Sequence, residues 1–205
     1  MPDGTALGIG VLASGGGSNF EALARACKEG RIPAAKIQLL VTNKMGVGAL
    51  DRAVRLGIES LVVDPGDFPD RGAYFDRVAA ELEKRGVQLV CLAGFLLKLE
   101  ASFVARYRGR ILNIHPALLP KFGGKGMFGH HVHSAVLAAG EVESGCTVHV
   151  VDEEFDHGPV LAQARVPVFS GDTPEMLAAR VLIEEHRLYP SAVRDFISQL
   201  RKETP

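Results

Sequence analysis

The sequence predicts an α/β fold built on a mainly parallel sheet, with antiparallel strands in its C-terminal half. Short apolar runs alternate with segments of helical periodicity through residues 7–115, the pattern of strand–helix–strand units with right-handed crossovers. Beyond residue 140 two extended segments follow one another across a short loop, which suggests a hairpin-like pair and hence a mixed sheet. The 205 residues, 47% of them apolar, suffice for one domain with a substantial core, and no internal repeat, low-complexity stretch or linker divides them. Residues 1–205 therefore read as one domain with two halves, about 1–108 and about 109–205.

Each element has its own signal. The run LGIGVLAS (7–14) has the pattern of a buried strand and leads straight into glycines. Segment 18–30 places Phe20, Leu23, Ala24 and Cys27 at helical spacing, with Ser18 expected as N-cap and Gly30 as stop. Residues 35–43 read as a second strand, 47–57 as a helix closed by Gly57, and 59–64 as a third strand. An amphipathic helix over 71–86 ends at Gly86, and strands over 87–95 and 110–115 follow. In the second half GCTVHVV (145–151) alternates and GPVLAQARVPV (158–168) succeeds it. Segment 173–190 opens with Thr173 and Pro174, a good N-cap and first turn, and carries Leu177, Val181 and Leu188 on one stripe.

Composition narrows the function classes. A formal net charge of -1 argues against broad nucleic-acid binding. The acidic run DEEFD (152–156) reads first as a solvated loop. The strongly apolar run 89–97 is too short to span a bilayer and is closed by Lys98. The N-terminus lacks the basic region of a secretory signal. Three cysteines, Cys27, Cys91 and Cys146, are an odd count without metal-ligand spacing, and a reducing cytoplasm is the simplest setting for them.

The glycine-rich turn ASGGGSNFEA (13–22) lies where an open α/β sheet binds phosphate, because glycines allow close backbone approach and a helix N-terminus offers free N–H groups. It is not a dinucleotide fingerprint: Phe20 stands at the third glycine position, and the second strand ends in Thr42-Asn43-Lys44 with no acidic residue for a ribose. It is not a P-loop either, since no Lys-Ser/Thr follows. A phosphomonoester site on the N–H groups of residues 16–19 and the Ser18 hydroxyl remains, beside the plainer reading of a tight turn with a capped helix.

The stretch ILNIHPALLP (111–120) ends a strand with Asn113 and His115 two residues apart, hence on one face. Pro116 and Pro120 stiffen the exit. Both side chains should face the crevice at the strands' C-terminal ends, with the glycine turn. An amide that can donate to an oxyanion beside an imidazole that shuttles protons near neutrality suits addition to a carbonyl. Asp156 is the best carboxylate to raise the imidazole pKa, with Asp152, Glu153 and Glu154 as rivals. His130, His131 and His133 lack a neighbouring cysteine or carboxylate at ligand spacing, so a lining loop or helix entry is the expected role rather than a metal site. Cys146 and His149 are three apart on a strand and point to opposite faces, which argues against a thiol dyad. Cys91 and Cys27 read as core.

Taken together the chain resembles the glycinamide ribonucleotide formyltransferases, folate-dependent enzymes of purine synthesis, over nearly its full length. The resemblance is carried by GGGSN (15–19), TNK (42–44), LAGF (92–95), NIHPALLPKF (113–122), GCTVHVVDEEFDHGPV (145–160), VPVFSGDTPEMLAARV (166–181) and EHRLYP (185–190). It implies a Rossmann-like sheet whose N-terminal half holds glycinamide ribonucleotide, with the phosphate on Gly17, Ser18 and Asn19 and a further contact from Glu185. It implies a C-terminal half that shapes the cleft for 10-formyltetrahydrofolate, bound near Leu96, Leu97, Lys98 and Leu99 with Arg71 and Asn113. The implied catalytic set is Asn113, His115 and Asp156, with His115 kept protonated by Asp156; the resemblance is what selects Asp156 among its acidic neighbours. No metal, ATP, nucleic acid or membrane enters the implied reaction, the setting is cytoplasmic, and a homodimer is compatible with it.

Alternatives are a 10-formyltetrahydrofolate hydrolase, which usually carries an extra N-terminal regulatory domain, a formyltransferase acting on aminoacylated transfer RNA, which usually adds a C-terminal domain, and a non-catalytic phosphate- or folate-binding protein. The chain departs from the family in three places. Its segment 121–133, with Lys125, Met127 and Phe128 between glycines, is longer than shorter family versions and should reshape one wall of the mouth. Leu97 stands where many members carry arginine, and Leu182 where some have a polar or basic substrate contact.

Overall fold

In the computed structural model, which describes residues 6–203, seven strands form one sheet. They are β1 (Leu7–Ala13), β2 (Ala35–Thr42), β3 (Ser60–Val62), β4 (Val87–Leu92), β5 (Ile111–His115), β6 (Glu143–Val150) and β7 (Val160–Pro167), in the order β3-β2-β1-β4-β5-β6-β7. The pairs from β3 to β5 are parallel, and β5–β6 and β6–β7 are antiparallel. The expected mixed sheet is therefore the observed one. The N-terminal stretch read for a secretory signal begins outside the described residues. Among the described residues no helix is long and apolar enough to cross a membrane.

Helices α1 (Ser18–Lys28), α2 (Gly48–Leu56), α3 (Arg71–Lys84), α4 (Ala101–Arg106), α5 (His130–Ala138) and α6 (Pro174–Glu203) cover the sheet. Two apolar clusters result. Phe20 and Leu23 of α1, Ala49 and Ala53 of α2, Val136 of α5 and Leu177 and Val181 of α6 pack with Ile9, Val11 and Leu112. Tyr74, Phe75 and Val78 of α3 and Phe103 of α4 pack with Leu12, Val90 and Ile111. Every residue of β1 is buried, as expected of a strand covered on both faces.

Local chemistry explains most boundaries. Asp70 caps α3 by accepting the Ala73 N–H at 2.8 Å. Thr173 caps α6, its hydroxyl taking the Met176 N–H at 3.3 Å. Gly30 ends α1 and Gly57 ends α2, both with left-handed backbone.

Four expectations need correction. Ser18 is not the N-cap of α1: the cap is Gly17, with φ 74 and no side-chain bond. The strands expected over 59–64 and 87–95 shorten to Ser60–Val62 and Val87–Leu92: a 3-10 turn begins at Pro65 after the first, and Gly94, with φ 72, turns the chain after the second. The six-residue α4 had no capping signal and was not anticipated. Finally, α6 does not stop at Pro190 but runs through it to Glu203. An interior proline costs roughly 3 kcal/mol or more, and burial of Ala192, Val193 and Ile197 beyond it offsets that cost.

Candidate active site

Strand β5 ends at the crevice with Asn113 and His115 on one face. The antiparallel ladder sets His149 of β6 opposite Asn113 and Thr147 opposite His115. Into this cluster the loop between β6 and β7 brings Asp156. Its Oδ2 lies 3.5 Å from His115 Nδ1, and its Oδ1 lies 3.5 Å from Asn113 Nδ2 and 3.6 Å from His149 Nε2. The Gly124 N–H donates to Asp156 Oδ2 at 2.9 Å. Burial pushes the Asp156 carboxyl up, but His149, His115 and the Gly124 N–H together hold it below the usual carboxylate value. Two of the rivals are engaged elsewhere: Asp152 accepts from His157 and from the Glu154 N–H, each at 2.9 Å, and Glu153 pairs outward with Arg108 at 3.9 Å.

Two non-glycine residues in the left-handed region supply the groups that touch His115. Asp156 has φ 53, and Phe122 has φ 56, with its carbonyl 2.8 Å from His115 Nε2. Such backbone costs about 1–3 kcal/mol per residue and persists where its surroundings over-determine it. Gly123 packs between them, and a Cβ there would lie 3.1 Å from that of Asp156.

The expectation that Asp156 keeps His115 charged is not met. Burial pushes the His115 pKa below the ordinary imidazole value; Asp156 and the Phe122 carbonyl pull it back without overcoming burial. Its Nε2–H donates to the Phe122 carbonyl, and its Nδ1 faces Asp156.

One cavity of about 760 Å³ contains this cluster. It reaches Asn19 and Glu185 at one end and Leu96, Leu97, Lys98 and Leu99 at the other, with segments 124–129 and 152–156 as walls. Segment 124–129 thus shapes the mouth as expected, and the acidic run is a cavity wall rather than a merely solvated loop. Leu182 also lines it. Glu185 is buried and accepts from Asn19 Nδ2 at 2.6 Å; burial pushes its carboxyl above the usual value, and the Asn19 bond only partly offsets this.

Gly17 and Ser18 do not line the cavity itself but immediately precede Asn19, at the start of α1. Gly17 must be glycine, since a Cβ would come within 2.6 Å of that of Ala49. The carbonyls of Gly15 and Gly16 are taken by the Ala49 N–H at 3.1 Å and Arg52 Nε at 2.8 Å, so the turn's carbonyls face its neighbours. Arg71 is not a lining residue: it donates to the Lys98 carbonyl and pairs with Glu100 at 3.1 Å, bracing the leucine segment from behind. The Ser14 hydroxyl accepts the Leu96 N–H at 3.1 Å. Lys98 lies over the Phe155 ring at 5.5 Å, across the mouth.

His149 is the site residue that sequence reasoning missed. Its neighbour along its own strand, Cys146, gives no signal, because its partners lie across the ladder. Tyr189 was missed too: its hydroxyl bridges the carbonyls of Leu92 at 3.0 Å and Leu112 at 2.9 Å, joining β4 to β5 just before Asn113. The three histidines of 130–133 go to different places: His130 pairs with Glu175 at 3.0 Å, His131 packs edge-on to Phe128, and His133 is buried at the cavity. Among the described residues no group of three or more His, Cys, Asp or Glu could hold a metal ion.

Residues 8–193 match the family described as Formyl transferase. The chain is 42% identical over 205 residues to the trifunctional purine biosynthetic protein adenosine-3 of Drosophila pseudoobscura pseudoobscura, covering 96% of this chain and 15% of that protein. It is 46% identical over 186 residues to the chloroplastic phosphoribosylglycinamide formyltransferase of Arabidopsis thaliana, covering 90% of this chain and 63% of that protein. It therefore spans less than two thirds of either relative. The crystal structure of glycinamide ribonucleotide transformylase 1 from Symbiobacterium toebii superposes with a TM-score of 0.88 at 42% identity, over 94% of this chain and 88% of that one.

Proposed function

Because the chain belongs to the formyl transferase family, we propose that it transfers the formyl group of 10-formyltetrahydrofolate to the amine of glycinamide ribonucleotide, a step of purine synthesis. The observation that carries this reading is the single cavity that holds Asn19, the Asn113–His115–Asp156 cluster and the leucine wall together. The names of the Arabidopsis and Symbiobacterium proteins support the same pair of substrates.

The nucleotide phosphate sits on the N–H groups of Gly17, Ser18 and Asn19, where the positive end of α1 favours an anion. Glu185 contacts the same substrate. The folate ring system lies on Leu96, Leu97 and Leu99, with Lys98 toward the mouth and Arg71 holding that segment from behind through the Lys98 carbonyl. The amine attacks the formyl carbon and its lone pair forms the new C–N bond, while the carbonyl electrons move to oxygen. Asn113 donates to that oxyanion, and His115 adds its positive charge once it has taken up the proton. A proton leaving the attacking nitrogen lands on His115 Nδ1, beside the Asp156 carboxylate, and passes to the folate nitrogen as its C–N bond breaks.

Holding two substrates in line supplies roughly 7–11 kcal/mol, and acid–base help about 10²–10⁴-fold, so juxtaposition is the larger contribution. No step requires a metal or ATP, and three free thiols suit a reducing cytoplasm.

The test mixes the protein with 10-formyltetrahydrofolate, with and without glycinamide ribonucleotide, and follows tetrahydrofolate release. Release only with the nucleotide is the expected result. Release without it would make the protein a hydrolase, and release in neither case would leave a binding protein.

A further inference from the structure

His149 carries no role in the reaction just described, yet it lies at the centre of the cluster. We infer that His149 is a positioning residue: its tautomer, set by the Val150 carbonyl, fixes which end of the Asn113 amide faces the reacting groups. The kinetic part of this inference rests on the formyl-transfer reading; the tautomer does not.

The hydrogen bonds are determinate. His149 is buried, and its Nδ1 lies 3.1 Å from the Val150 carbonyl. A carbonyl only accepts, so Nδ1 bears the proton and, in the neutral ring, Nε2 bears the lone pair. That lone pair lies 3.1 Å from Asn113 Nδ2 and 3.6 Å from Asp156 Oδ1, so the amide NH₂ is the donor set between two acceptors. The second neighbour of Nδ2 is Asp156 Oδ1 at 3.5 Å, an ionised oxygen with no proton to give. Both neighbours therefore demand the NH₂ end of the amide. The flipped amide would set its oxygen against a lone pair and a carboxylate at once.

The two contacts differ in strength. A 3.1 Å bond is an anchor; 3.5 Å is at the limit of hydrogen bonding. The hydrogen facing Asp156 is thus the less engaged of the two and the one left for a developing oxyanion, while the bond to His149 holds the amide in place. The antiparallel ladder makes this pairing available, because Asn113 and His149 are direct register partners.

The experiment compares His149→Met, which keeps bulk and removes the acceptor, with His149→Gln, whose Oε1 can accept in place of Nε2. His149→Met should lower kcat about 10–100-fold, the loss expected for one buried hydrogen bond, with KM for both substrates within about 3-fold. His149→Gln should recover to within about 5-fold of the parent. In an Asn113→Ala background His149→Met should cost less than about 3-fold further, since it acts through the amide already removed. Full multiplication of the two losses, or no recovery with Gln, would overturn the inference. Imidazole ¹⁵N shifts of the unmodified protein at pH 7.5 should show His149 protonated on Nδ1 alone; an Nε2–H ring or an imidazolium would overturn it whatever the variants do. A parent protein that releases no tetrahydrofolate defeats the formyl-transfer reading instead, and the ¹⁵N shifts then decide this inference by themselves.

Discussion

The cavity has a buried carboxylate at each end, and the two behave in opposite ways. Asp156 is held below the ordinary carboxylate value and Glu185 is pushed above it. Burial raises both. At Asp156 it is overcome by an N–H from Gly124 and two imidazoles; at Glu185 it meets one amide, from Asn19. A buried carboxyl stays charged only where N–H donors and groups able to carry positive charge surround it. The Asp156 end is thus built to handle a proton and its charge, whereas the Glu185 end is built to recognise a hydrogen-bonding ligand.

The largest effect should come from removing the charge at the first end. Asp156→Asn is expected to lower kcat by about 10²–10⁴-fold, measured by tetrahydrofolate release, while KM for the nucleotide stays within a few-fold. Near-parental turnover would erase the distinction between the two ends. Next, His115→Ala should cut turnover by about 10²–10³-fold and alter substrate binding far less, as read by steady-state kinetics beside direct titration. A mutant with near-normal turnover would remove His115 from the proton path.

Tyr189 joins the two ends, since it follows Glu185 by one turn of α6 and clamps β5 just before Asn113. Tyr189→Phe leaves the Leu92 and Leu112 carbonyls without that donor and should cost about 1–3 kcal/mol. At about 2–4 °C per kcal/mol for a chain of this size, thermal unfolding should shift down by several degrees. An unchanged melting temperature would show the clamp to be idle.

The smallest effect sharpens the comparison most. A carboxyl whose pKa is raised on folding binds more protons folded than unfolded, so it makes the protein less stable as pH rises through its window. Glu185→Gln keeps an acceptor for Asn19 and removes that penalty. The variant should melt about 2–4 °C above the parent at pH 8, for a gain on the order of 1 kcal/mol, and the gain should vanish toward pH 4.5. Asp156→Asn should show no such pH-dependent gain. Three histidines act on the acid side: buried His115 and His133 and half-buried His186 all have lowered pKa values, so parental stability should decline as pH falls below about 6.5.

Much of the site was legible in the chain. Asn113 and His115 had to share a face because they are two apart on a strand, and the glycine turn had to lie at the same edge of the sheet. Asp156 was harder, since its selection depends on a left-handed loop residue 43 positions from Asn113. His149 escaped because its partners lie across the ladder, and register is not a local property. Pro190 misled for a related reason: the local rule ends a helix there, but apolar residues beyond it are worth more when buried.

The order of strands and helices, the glycine positions and the pairing of Asn113 with His115 follow from the sequence by itself, because they depend on periods of two and 3.6 residues and on backbone sterics. Which acid meets the imidazole, whether that imidazole rests charged, and what orients the amide depend on distances between segments far apart in the chain. Those distances, and the water they exclude, exist only in the folded molecule, so only the tertiary structure could decide them.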